Sequence, residues 1–413
     1  MCALSLTRYY IFIAFFLLSF PFIAIFNNFT LSDFFLTLAL ITATMRLIGS
    51  NYLFENIFQK NEFIIPIFIF SLGFLVSINK SPFPFESFTA FLQIVFIFLI
   101  AYPIIRIALT KEKHILTATY ILITTGLFIA VIMLTFYVID IEYGIGSLIE
   151  IGWGGRLSYG GMEPNVPARI LLQITPLCLV MAIRSQLFIN KVLFTIFIAV
   201  LLLTVFLTAS RSSLLIAIVG SFIFLVFYIK MGRKVNFYYL ILYLVIQFSL
   251  IKLISINNTE FYDKPMDRYS TILEPGSSPS SLQRLDLIDK GLGYIDQNPI
   301  VGLGLENSNL YTKISIHNPI ILAWVENGFL GMIGFSGLYV VLFIIGLKCY
   351  RMNFFDDDIL MAYVVVVAIM VFGDMFMANS YKRFLWIPSL LMLIRYRQCI
   401  LGQLKMTHDK KYN

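Results

Sequence analysis

The chain has little charge. Only 13% of its 413 residues are Asp, Glu, Lys or Arg, about half of the roughly 25% found in soluble domains. The deficit runs over the whole length, which excludes a soluble domain with one anchor. Histidine is scarcer still, with three residues, His114, His317 and His408. The four cysteines, Cys2, Cys178, Cys349 and Cys399, stand far apart and show no metal-ligand spacing. There is no HxxxH, CxxC or acidic cluster with metal-ligand spacing, so neither a catalytic metal nor another cofactor is expected. None of the cysteines lies in the longest polar interval, which excludes a disulfide staple there. No small-residue cleavage site follows the first apolar run, so that run reads as a span rather than a removed signal. Internal repeats and low-complexity tracts are also missing.

What the chain does have is apolar length. Hydrophobic residues make up 59%, mean hydropathy is +0.86, and there are 41 Phe and 22 Tyr. A spanning helix needs about 20 apolar residues, and runs of that kind number about twelve. They fall near 9–27, 31–49, 63–79, 87–108, 115–139, 166–183, 192–208, 211–230, 236–254, 328–348, 358–378 and 384–396. The expected fold is an all-α polytopic integral membrane protein with one long outer loop containing short helices. It divides into a membrane scaffold (1–140), spans with Arg-bearing outer loops (141–254), the long outer loop (255–327), and the last spans with a tail (328–413).

Orientation follows from the basic residues between the spans. With Arg8 inside, alternate connections carry Arg46 and Lys60; Arg106, Lys111 and Lys113; Arg184 and Lys191; Lys230, Arg233 and Lys234; Lys348 and Arg351; and the tail from Arg395 onward. Together these are 18 of the 30 Lys and Arg residues. Both termini are therefore expected in the cytoplasm. The net charge of +7 is explained by topology, which excludes nucleic acid as a partner.

On the outer side the pattern is different. The loop 140–165 holds Arg156, a glycine-rich run, Glu163, Pro164 and Asn165. Asn165 is placed to N-cap the sixth span, with Pro167 in its first turn. Spans seven and eight are separated only by Thr208-Ala209-Ser210-Arg211, which predicts a tight hairpin with Ser210 as N-cap. Arg211 then sits at a helix N-terminus, whose free N–H groups and dipole favour anions. In the long loop, Leu282–Asp296 reads as an amphipathic helix with Leu285, Ile288, Leu292 and Ile295 on its apolar face and Arg284 near its start. His317-Asn318-Pro319 closes the loop, with Asn318 as N-cap and Pro319 at the first helical position.

Each of these residues has a plain reading and a chemical one. His317 is the only histidine on the outer side; it either packs at the interface or handles a proton near neutral pH. A basic side chain on the outer face either snorkels, which suits Lys80 and Arg169, or binds an anion. Arg156, Arg211, Arg284 and the pair Lys382/Arg383 converge there, which points to a polyanion, most simply a diphosphate. Glu163 and Glu326 either pair with a neighbouring arginine, or orient His317 or bind sugar hydroxyls.

Four stretches, in this order, resemble the bacterial O-antigen ligase and O-antigen polymerase superfamily. They are Arg156 with the glycine run and Pro164-Asn165; Thr208-Ala209-Ser210-Arg211-Ser212; Arg284 followed by Asn298-Pro299-Ile300-Val301-Gly302-Leu303-Gly304; and His317-Asn318 with Glu326-Asn327-Gly328-Phe329-Leu330-Gly331. The resemblance covers roughly residues 150–390. It implies a metal-independent, inverting glycosyltransferase on the periplasmic face of the bacterial inner membrane. The donor it implies is a polysaccharide on undecaprenyl diphosphate. The acceptor is the lipid A-core for a ligase, or a second lipid-linked repeat for a polymerase. It makes Arg211, Arg284 and His317 the key residues. Arg156, Glu163, Asn165, Asn318, Glu326, Lys382 and Arg383 would be substrate-binding. The sequence departs from some ligases at Pro319, where those carry an acidic residue. A lipid-linked oligosaccharide flippase is the competing class; it predicts polar groups deep in the spans and internal repeats.

Overall fold

The structure is a computed structural model. It describes residues 2–17, 24–26, 29–47, 61–139, 156–158, 163–230, 279–351, 357–376 and 383–412. The apolar run 236–254, the polar stretch 255–278 and Lys382 lie outside the described residues.

The described chain is essentially all helical. The exception is a short antiparallel pair, β1 (Ala24–Phe26) with β2 (Phe29–Thr30). The helices are α1 (Cys2–Leu17), α2 (Leu31–Leu47), α3 (Ile64–Ser77), α4 (Pro84–Ala108), α5 (Glu112–Ile139), α6 (Asn165–Arg184), α7 (Phe188–Leu207), α8 (Arg211–Lys230), α9 (Pro279–Gln297), α10 (Ser308–Thr312), α11 (Pro319–Arg351), α12 (Asp358–Asp374) and α13 (Arg383–Tyr412). Among the described residues six are long and apolar enough to cross a membrane: α4, α5 through Thr135, α6, α7, α8 through Ile229, and α11. Shorter apolar helices cover Ala3–Phe15, Leu31–Met45 and Ile64–Lys80.

Local sequence explains the irregularities. The middle of α4, Phe96–Ala101, is π-helical. Pro103 lacks the N–H that the wider register would aim at the Phe98 carbonyl. That carbonyl instead accepts from Asn61 Nδ2 at 2.8 Å. In α11 the helix breaks at Gly328, whose φ of 67° lies in the left-handed region.

The chain forms two compact units. The first comprises Met1–Ile115, Ser278–Lys348 and Asp374–Leu390. In it α3 and α11 meet backbone to backbone. A Cβ on Gly73 would lie 2.4 Å from the Gly331 nitrogen, and one on Gly334 would lie 2.3 Å from the Phe70 nitrogen. Helices in lipid associate through such small-residue contacts. Beside them Phe335, Tyr339 and Trp386 form an aromatic cluster, and the Tyr339 hydroxyl donates to Asp374 Oδ2 at 2.8 Å.

The second unit comprises Leu116–Ser277, Cys349–Gly373 and Leu391–Asn413. Its helices interlock at Gly126, which faces Ile174, and at Gly220, which faces Ile369. Thr119 and Tyr363 share a hydrogen bond of 2.9 Å. Asp357 caps α12 through the Ile359 and Leu360 N–H groups and pairs with Arg395 on α13.

Candidate active site

In the second unit the tight turn between α7 and α8 holds Arg211. The Ala209 N–H closes onto the Phe206 carbonyl at 3.0 Å, and Ala209 itself adopts φ +50°. Ser210 is the N-cap: its Oγ accepts the Ser213 N–H at 3.3 Å and shares a 2.7 Å bond with the Ser213 hydroxyl. Ser210, Ser212 and Ser213 are buried, and Arg211, the first residue of α8, is partly exposed. The sequence reading of a capped hairpin holds.

Arg156 lies against this turn. It is buried, donates from Nε to the Thr208 carbonyl and from Nη2 to Asn165 Oδ1, both at 2.9 Å. The next residue joins in, with the Leu157 N–H on the Leu207 carbonyl at 3.3 Å. Asn165 Nδ2 donates in turn to Glu163 Oε1. This corrects the expected cap. Asn165 makes no side-chain capping bond to α6, because its amide is committed at both ends to Arg156 and Glu163. Arg156, Glu163 and Asn165 thus form one chain of hydrogen bonds that clamps the Arg211 turn.

Arg169 is a second correction. It does not snorkel; it is fully buried. Its Nη2 donates to the Met370 carbonyl at 3.1 Å, and Gly373 leaves room for the guanidinium. That places positive charge at the C-terminal turn of α12, where the helix dipole is negative. One turn on, Gln173 is also buried, and its Nε2 makes no hydrogen bond among the described residues. Asn165, Arg169 and Gln173 are spaced four apart, a polar stripe that helical periodicity applied to polar residues would have found.

In the first unit a small core organises the loop. Tyr294 and Ile295 of α9 pack with Ile316, Leu322 and Val325, flanked by Leu303, Ile321 and Trp324. The helix itself is as expected, but its apolar face is not. Leu287, Gly291, Tyr294 and Ile295 face inward, while Leu285 and Leu292 are exposed. The reason is Gly291: a Cβ there would sit 2.9 Å from Ile316 Cδ1, so α9 turns its thinnest side to the core. Burial, and then the neighbouring Tyr311, hold the Tyr294 phenol above its ordinary pKa.

This core gathers the α9 helix that bears Arg284 and the segment that bears His317. Both side chains are partly exposed. Asn318 caps α11 as read, its Oδ1 accepting from Ile320 and Ile321 at 3.0 and 3.1 Å. The passage between α9 and α10 is stitched onto the end of the first α11 segment. The Leu303 N–H reaches the Val325 carbonyl at 2.9 Å, and the Gly304 N–H reaches the Glu326 carbonyl at 2.8 Å. Glu326 is buried; its Oε1 accepts the Ser308 N–H at 3.3 Å, and its Oε2 makes no hydrogen bond among the described residues. Asn307 ties the same passage to the α3–α4 turn, donating to Ser81 Oγ at 2.7 Å and Ser87 Oγ at 2.9 Å. Ser77 donates to Asn327 at 3.1 Å. The N-terminal spans, read from sequence as scaffold, therefore supply polar anchors for the loop. Arg383 opens α13. No group of three or more His, Cys, Asp or Glu side chains lies together among the described residues.

Residues 196–336, about a third of the chain, match the family model described as O-antigen ligase. The chain is similar to that family over this segment. No curated protein matches it. The matched segment contains Arg211, Arg284, His317, Asn318 and Glu326. Arg156, Glu163, Asn165, Lys382 and Arg383 lie outside it.

Proposed function

We propose that this chain is a multi-pass membrane glycosyltransferase of O-antigen ligase type. It moves a polysaccharide from undecaprenyl diphosphate to a lipid A-core acceptor on the periplasmic face of the bacterial inner membrane. It works by inversion and without a metal. The reading places about twelve spans in the bilayer, with both termini cytoplasmic and residues 255–327 outside. The observation that carries it is the Arg211 turn: an arginine on the first position of a capped helix, inside the family-matched segment, with a buried network behind it.

In this reading Arg211 and Arg284 neutralise the departing diphosphate. The N–H groups at the start of α8 add to the same field. His317 takes the proton from the acceptor hydroxyl as that oxygen attacks the anomeric carbon and the diphosphate leaves from the opposite face. Asn318, Lys382 and Arg383 serve the glycan or the phosphates, Glu326 anchors the loop through the Ser308 N–H, and Arg156, Glu163 and Asn165 shape the anion site by holding the Arg211 turn. Loss of one arginine is expected to lower turnover by about 10²–10³-fold, in line with loss of an oxyanion donor.

Pro319 stands where some ligases carry an acidic residue, and the second reading is a polymerase that joins lipid-linked repeats. A deletion strain separates the two. Loss of a ligase leaves full-length polymer on the carrier and none on lipid A. Loss of a polymerase leaves single repeats on lipid A. Complementation with Arg211→Ala or His317→Ala is expected to reproduce the deletion. Full transfer by both variants would overturn the catalytic assignment. The flippase class draws support from buried polar groups in spans, and α6 carries four, Asn165, Arg169, Gln173 and Thr175. Arg169, however, is accounted for by the end of α12. Transfer of labelled glycan by purified protein without a gradient would exclude that class.

A further inference from the structure

On α11 the exposed apolar side chains Phe329, Ile333, Val340, Phe343, Ile344 and Leu347 recur at helical spacing. On a spanning helix such a stripe is the face turned to lipid. It is expected to stop at Gly328, where the helix breaks, and it does not. Trp324 lies on the other side of the break, with its ring centroid 5.9 Å from that of Phe329. Its indole N–H donates to the Pro299 carbonyl at 2.8 Å. The following residue, Ile300, is 68% exposed, and its carbonyl packs against the bare Cα of Gly328, where a Cβ would lie 2.0 Å from it. Ile300, Trp324 and Phe329 are thus tied together by a ring contact, a side-chain hydrogen bond to the main chain and one close backbone approach. They extend the lipid-facing stripe across the break and onto the loop.

The chemistry of the patch decides its partner. A sugar-binding aromatic offers a ring with hydrogen-bonding groups beside it. Here the one polar atom of Trp324 is spent on Pro299, and proline has no N–H to offer. Trp324 is half-buried against the loop core, and what faces outward beside it, Ile300 and Phe329, is apolar, next to a polar loop, at the mouth of a span. That composition suits the headgroup–acyl boundary, where Trp concentrates.

We propose that Ile300, Trp324 and Phe329 form a membrane anchor that seats the 298–304 passage in the interfacial layer of the bilayer, with phospholipid as the partner. The anchor does not depend on the glycosyltransferase reading. Its consequence is positional: the passage carries Gly302 and Gly304, which hold Glu326, so the loop core is fixed in height relative to the lipid.

The test uses the full chain in phosphatidylcholine–phosphatidylglycerol nanodiscs. The sequence has three tryptophans, so Trp153→Phe with Trp386→Phe isolates Trp324. Lipids brominated at shallow positions are expected to quench its fluorescence about twofold more than deeply brominated lipids. Aqueous acrylamide is expected to quench it weakly, and more strongly after Ile300→Asp. Because Trp386 is packed, the same difference is also read as wild type against Trp324→Phe: the fraction quenched by shallow bromine must fall. Strong acrylamide quenching without bromine quenching would show a water-facing patch and overturn the anchor. Protection from both quenchers would show a protein-covered patch, such as a second copy of the chain, and would overturn it equally.

Discussion

Arg156 donates its Nε–H to the main-chain carbonyl of Thr208, and so ties the loop before α6 to the turn that begins α8. A second donor of the same guanidinium holds Asn165. Both bonds are buried and charge-assisted, each worth about 1.5–3 kcal/mol. Arg156→Ala is expected to lower the thermal midpoint of the purified protein and to remove transfer activity through the loosened Arg211 turn. Arg156→Lys is expected to fail as a rescue, since a single ammonium cannot copy the two divergent donors. A variant with an unchanged midpoint and no activity would instead put Arg156 on the substrate.

Ala209 sits two residues from Arg211 at φ +50°. For a residue with a Cβ that conformation costs roughly 1–2 kcal/mol. Ala209→Gly removes the strain but loosens the unfolded chain, so a small net gain is expected. Ala209→Val puts a β-branched side chain in a forbidden region and is expected to lower stability by more than 2 kcal/mol. Thermal unfolding of the pair checks this; equal midpoints would mean that the turn relaxes in solution.

Helix positions were legible because apolar runs and capping residues are local signals. Asn318, Ser210 and the α7–α8 turn are where the sequence puts them. The contacts that carry tertiary meaning were not. Asn165 reads as a cap until Arg156 takes its amide. The face of α9 depends on how closely Gly291 lets Ile316 approach, and leucine spacing alone cannot weigh that. Arg169 near a helix start looks like a snorkelling arginine; only the end of α12, some two hundred residues away in the chain, gives it a buried acceptor. Ser77, Ser81 and Ser87 look like incidental hydroxyls until Asn307 and Asn327 reach them.

Two glycines separate space from propensity. A Cβ on Gly293 of α9 meets nothing within 4 Å, whereas one on Gly334 meets the Phe70 main chain. Gly293→Ala is expected to stabilise the protein by about 0.5–1 kcal/mol, the helix-interior gain over glycine. Gly334→Ala is expected to destabilise it, because backbone cannot move aside as a side chain can. Unfolding midpoints in the same detergent decide the point. A rise for Gly334→Ala would mean that α3 and α11 do not approach at this site.

Glu326 presents one oxygen to the Ser308 N–H and buries the other. What the side chain does for the loop is accept that bond, and an amide oxygen can accept it as well. Glu326→Gln is therefore expected to keep the thermal midpoint and most of the transfer activity. Glu326→Ala leaves the Ser308 N–H without its acceptor, at a cost of about 1–3 kcal/mol. It is expected to open the α10 segment to cleavage by chymotrypsin at Tyr311, an exposed residue of that helix. The two variants distinguish an anchor from a ligand. If Glu326→Gln folds as well as the wild type and resists chymotrypsin yet transfers no glycan, the carboxylate acts on substrate, and its bond to Ser308 only aims it.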